Sequence, residues 1–71
     1  MNTSTYLNQA EAADYLRLSP RTLERHRVNG TGPRFTKAGR RVIYRVDELD
    51  AWAASRTFAS TAEFEAQAQA A

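Results

Sequence analysis

A chain that starts a second helix only eleven residues after the first has few ways to fold. Asn8-Gln9-Ala10-Glu11 has the spacing of a capping box, in which Asn8 accepts from the amide three residues on and Glu11 reaches back. Leu7, just before the cap, is placed as a hydrophobic staple. Ala10, Ala13 and Leu16, with Ala12, fall at helical spacing and form an apolar stripe small enough for another helix to close upon. The spacing predicts a helix over about residues 9–16. Only Arg17 and Leu18 precede the next start, Ser19-Pro20, where serine caps and proline has no amide to leave unpaired. The second helix is predicted over about residues 20–28, ending at Asn29-Gly30 with glycine as the left-handed cap. Two short helices so joined, the second rich in arginine, form a helix-turn-helix.

Thr31-Gly32-Pro33 then breaks the chain. Phe35-Thr36-Lys37 and Arg41-Val42-Ile43-Tyr44-Arg45 flank Ala38-Gly39-Arg40, so a two-stranded hairpin is predicted over about residues 35–45. Period-two alternation turns Phe35, Val42 and Tyr44 inward and Arg41, Ile43 and Arg45 outward. A lone hairpin is marginal, so it must lean on the helices and leave a basic tip projecting, as a wing. Asp47, Glu48 and Asp50 suit the positive end of a third helix, over about residues 47–55, with Leu49, Trp52 and Ala53 as its apolar stripe. The predicted core is Leu16, Leu23, Phe35, Val42, Tyr44, Leu49 and Trp52, with Trp52 the largest plug. The predicted fold class is mainly α with a small β-hairpin, a winged helix-turn-helix domain over residues 1–56. Residues 57–71 form an Ala/Gln-rich tail with two large apolar side chains, Phe58 and Phe64, expected as a frayed or partner-ordered helix.

Seventy-one residues leave room for one modest core, and not for a deep catalytic cleft. At 42% hydrophobic and 25% charged, the composition is that of a folded domain. No apolar run is long enough to span a bilayer, and the amino-terminal residues have no signal-peptide pattern, so a cytoplasmic protein with no membrane partner is expected. No cysteine and one histidine exclude disulfides and any credible transition-metal site. No catalytic constellation is visible, and neither an enzyme nor a cofactor is expected.

The net charge of +2 conceals a division. Residues 20–45 hold eight basic side chains, seven of them arginine, against the single acid Glu24, a net +7; the remainder carries two arginines against seven acids, a net −5. Such a split gives the molecule a positive face and a negative back. Arginine's planar fork suits phosphates and guanine edges. With Leu23 and His26 turned inward, Arg21, Thr22, Glu24 and Arg25 face outward, where they can meet guanine, thymine or phosphate, and cytosine in a major groove. Glu24 is either a base reader or an orienter of Arg21 or Arg25. Ser19 and the first-turn amides can hold a phosphate. Arg27 lies nearer the buried flank, and His26 reads as a packing residue at the core edge, with direct DNA contact as its alternative. Lys37, Arg40 and Arg41 at the hairpin tip can enter a flanking minor groove; alternatively, Arg40 and Arg41 keep an exposed hairpin from pairing with neighbours.

Tyr6 to Leu16, then Leu18-Ser19-Pro20-Arg21-Thr22-Leu23, Gly32 to Arg45, and Asp47-Glu48-Leu49-Asp50-Ala51-Trp52 together resemble the MerR-like helix-turn-helix of the excisionase family. The resemblance covers about residues 6–55. It implies a bacterial or phage recombination directionality factor, a sequence-specific architectural protein that binds and bends attachment-site DNA so that an integrase can excise it. The implied partners are double-stranded DNA, an integrase and neighbouring copies bound cooperatively, head to tail. It places the second helix in the major groove and the wing in the minor groove, assigning contact to Arg21, Thr22, Glu24, Arg25, Lys37, Arg40 and Arg41. MerR regulators continue into a long dimerising helix and an effector site; this chain shows neither, so no small-molecule effector is expected. A small prophage or plasmid transcriptional regulator using the same interface is the alternative, and a protein-interaction adaptor a remoter one.

Overall fold

Seven elements follow one another in the computed structural model, which describes the backbone of residues 5–70 and side chains as far as residue 67. They are β1 (Tyr6–Asn8), α1 (Gln9–Tyr15), α2 (Pro20–Asn29), β2 (Thr36–Ala38), β3 (Arg41–Arg45), α3 (Val46–Ser55) and α4 (Thr61–Ala70). The first four residues of the expected domain and Ala71 of the tail lie outside the described residues.

The capping box at Asn8 is complete: its side-chain oxygen accepts from the Glu11 amide at 2.8 Å, and Glu11 Oε1 accepts from the Asn8 amide at 2.9 Å. At the other end of α1 the chain reverses through a Schellman motif. The Leu18 amide reaches the Ala13 carbonyl at 2.8 Å, the Arg17 amide reaches that of Asp14 at 3.0 Å, and Arg17 takes φ +62°. Arginine therefore occupies a left-handed position that favours glycine, at a cost of about 1 kcal/mol. The motif turns the chain within two residues, and α2 begins at once. Ser19 caps it, accepting from the Thr22 amide at 3.1 Å, with Pro20 following. Gly30, at φ +75°, ends it.

The sheet has three strands, in the order β1-β3-β2, and not the two predicted. Leu7 pairs with Tyr44 and Lys37 with Val42, all antiparallel. β1 escaped prediction because it is three residues long and its last, Asn8, also caps α1. The added strand relieves the marginal hairpin: β3 becomes a central strand whose Tyr44 is fully buried. Gly39, at φ +64°, takes the first position of the two-residue loop joining β2 to β3, where a II′ hairpin turn requires glycine.

Ala12, Ala13, Leu23, Tyr44 and Leu49 form the buried core, with Leu7, Leu16 and Val42 packed against it. Two expected core members stand elsewhere. Phe35 is 45% exposed, because it precedes the edge strand β2, whose residues are all exposed, and only one side of its ring meets Tyr44. Trp52 is half-buried; it closes the seam between α3 and the C-terminal end of α2, and Tyr44 is the largest fully buried side chain in its place. Ala10 likewise faces solvent, so Ala12 and Ala13 carry the close approach of α1 to the core. On the far side, Tyr15 of α1 donates to Asp50 Oδ1 of α3 at 2.6 Å, and that carboxylate holds the phenol pKa above 10.0.

Candidate nucleic-acid interface

Helix α2 has one anchored face and one free face. Leu23 is fully buried in the core. His26, half-buried, meets the Trp52 ring edge-on at 5.4 Å, and its Nδ1 lies 2.8 Å from Thr31 Oγ1, so it packs as expected of a core-edge histidine. At about 100° per residue, Arg21 and Arg25 fall almost opposite Leu23. Both are exposed, as is Glu24 between them. Glu24 pairs with neither arginine; among the described residues the one ion pair joins Arg45 to Asp47 at 2.6 Å. Arg21 and Arg25 therefore present unneutralised charge to the solvent.

Ser19 and Thr22 are less free. The Ser19 hydroxyl accepts the Thr22 amide and donates to Thr22 Oγ1 at 2.9 Å, so the pair closes the first turn, and Thr22 is half-buried. What they offer outward is the Thr22 hydroxyl proton and the positive end of the helix.

The wing follows α2 through a short connection that folds back on the helix. The Thr31 amide bonds the His26 carbonyl at 2.9 Å, and Gly32 lies so near that a Cβ on it would stand 2.8 Å from His26 Cβ. Thr31's carbonyl then accepts from the Trp52 indole at 3.0 Å and from Arg56 at 2.9 Å, fixing the connection to α3. Lys37, Arg40 and Arg41 are all exposed on the hairpin this connection delivers, Arg40 within the two-residue turn. None of the three is paired with a carboxylate among the described residues.

Two cations behave differently from a simple count of charge. Arg27 turns back into the protein: its Nη2 donates to Gln9 Oε1 at 3.0 Å and its guanidinium lies 5.9 Å from the centre of the Phe35 ring. Arg17, counted outside the basic stretch of the sequence, is exposed in the turn between the two helices, just ahead of α2. No sequence pattern announces a left-handed arginine. The Arg27–Gln9 contact could have been anticipated, since Arg27 lies one turn beyond Leu23 and so shares its face.

No group of three His, Asp or Glu side chains among the described residues is placed to hold a metal ion, and no helix among them is long and apolar enough to cross a membrane. A helix pinned by one face and followed by a basic hairpin has the architecture of a winged helix-turn-helix, a DNA-binding class. Residues 6–57 match the sequence profile of the helix-turn-helix domain family, and the chain belongs to that family. Among curated proteins, none matches it significantly.

Proposed function

We propose that the protein is a MerR-like, excisionase-type factor that binds attachment-site DNA, bends it and thereby directs an integrase toward excision. One observation carries the reading: the cations on the free face of α2 and at the hairpin tip, Arg21, Arg25, Lys37, Arg40 and Arg41, are exposed and unneutralised among the described residues. The exposed face of α2 enters the major groove, where Arg21 and Arg25 fork onto guanine or phosphate, Glu24 accepts from cytosine, and Thr22 meets a thymine methyl or a phosphate. Ser19 holds the first turn in shape for that contact. The wing enters the flanking minor groove through Lys37, Arg40 and Arg41, which sense its width and potential. The protein works by binding alone, with no cofactor and no catalytic step of its own.

So small an interface touches few base pairs, so useful affinity comes from neighbouring copies on adjacent sites, arranged head to tail. Neutralising about five phosphates gives a slope of log affinity against log salt of about −4 to −5. The functional test is a footprint over the attachment and promoter regions of the same replicon, joined to an excision assay with its integrase. Protection beside the attachment site and a rise in excision are expected. Protection confined to promoters, with excision unchanged, would instead make the protein a transcriptional regulator using the same interface.

A further inference from the structure

Arg27, in the basic stretch, turns into its own protein. Arg27 stands near the end of α2, half-buried, with its Nη2 on Gln9 Oε1 at 3.0 Å and its Nε enclosed without a hydrogen-bond partner. Its charge centre lies 5.9 Å from the middle of the Phe35 ring, which stands immediately before β2 and in turn meets Tyr44 of β3 at 6.4 Å. The Tyr44 hydroxyl is buried too; burial raises its pKa, and the nearby Arg27 charge opposes that rise. Gln9, on the other side, donates from Nε2 to the Pro20 carbonyl in the first turn of α2 at 3.4 Å. One guanidinium thus touches the start of α1, through it the start of α2, and the Phe35 ring at the base of the wing.

We propose that Arg27, clamped between Gln9 and the Phe35 ring, is a positioning residue that fixes the wing relative to the recognition helix, and that it touches no DNA. This rests on the reading of α2 and the wing as a two-groove interface. Two grooves of one duplex are engaged together only if the two projections keep a set spacing, so a side chain that ties their bases together governs how much the wing adds to binding. A guanidinium suits the task because its plane can lie against an aromatic ring while its edge donates to an amide oxygen. A lysine ammonium carries the same charge but cannot do both.

The test is a double-mutant cycle between Arg27 and the wing tip, read on a duplex selected by the native protein from a randomised pool. In the native background, Arg40→Ala removes one cation's share of the wing's contribution. With Arg27→Lys already present, we expect Arg40→Ala to weaken binding much less, a coupling of about three- to tenfold, while the salt slope of Arg27→Lys stays native. Gln9→Ala, which leaves the arginine in place, shows the same coupling. Additive losses would overturn the proposal. So would a salt slope shallower by about one for Arg27→Gln with Arg27→Lys unaffected, since that marks a phosphate contact. A second arm needs no DNA: residual dipolar couplings of the free protein report the orientation of α2 against the β2–β3 hairpin. A changed or averaged orientation in Arg27→Lys and Gln9→Ala is expected, and an unchanged one refutes the clamp. Failure of the native protein to select any duplex would count against the DNA reading, and the free-protein arm would still decide the role of Arg27.

Discussion

Helices α2 and α4 are both ten residues long and both begin with a serine cap, yet only one is built into the fold. In α4, Ser60 accepts from the Glu63 amide at 3.1 Å while Glu63 reaches back to the Ala59 amide at 2.6 Å, so its start is as well formed as that of α2. What α4 does not do over residues 61–67 is bury a face. Phe64 is 49% exposed, with the Phe58 ring edge-on to it at 5.3 Å, and residues 61–67 are all exposed. In α2, Leu23 is fully buried, His26 packs on Trp52, Arg27 is held by Gln9, and Gly32 leaves no room for a side chain against His26. Caps and propensity make a helix, and burial gives it a place. Placement is also what turns charge into an interface, because the free face of α2 has a defined direction only while the other face is fixed.

The contrast can be broken at its strongest point first. Leu23→Ala should cost about 2–5 kcal/mol, enough to unfold so small a domain, whereas Phe64→Ala in α4 should cost under about 1 kcal/mol; urea denaturation of both variants measures the difference. Gly32→Ala forces a methyl group against His26 and should cost about 1–3 kcal/mol by the same measurement, with the loss appearing as loosened contacts between α2 and α3. Arg25→Ala separates binding from stability. Affinity for a selected duplex should fall by about 1–3 kcal/mol while the melting temperature scarcely moves, and a large loss of stability would place Arg25 on the buried face. Arg17→Gly should raise stability by about 0.5–1 kcal/mol by relieving the left-handed arginine in the turn before α2. Smallest of all, a chain ending at Thr57 should lose less than about 0.5 kcal/mol, and cooperative unfolding of that truncated chain at a much lower temperature would make α4 part of the fold after all.

Much of the fold was legible because its boundaries are written in local chemistry. Asn8 with Glu11, Ser19 with Pro20, and Gly30 act on backbone groups within a few residues, so their effect can be read without knowing the rest of the molecule. The same holds for the hairpin turn at Gly39 and for the helical spacing that put Leu23 inside and Arg21 and Arg25 outside. Illegible were the features decided across the chain. β1 exists because Leu7 pairs with Tyr44, a partner far away in sequence. Phe35 reads as core by its chemistry but precedes an edge strand and is nearly half exposed. Trp52 was displaced from the centre because Tyr44, on the central strand, fills it. Within the candidate interface, helical spacing set Arg27 toward the buried flank, where it lies, but could not reveal that the Phe35 ring meets it there.

DNA binding of the kind proposed requires α2 and the hairpin tip to meet one duplex together. Amide and arginine side-chain NMR shifts, followed while a selected duplex is titrated into labelled protein, test it most directly. The largest changes are expected at Arg21, Glu24 and Arg25 on the free face of α2, and at Gly39, Arg40 and Arg41 on the hairpin, moving at one stoichiometry. Changes gathered instead on the acidic surface of α3 and α4, or on only one of the two projections, would contradict it.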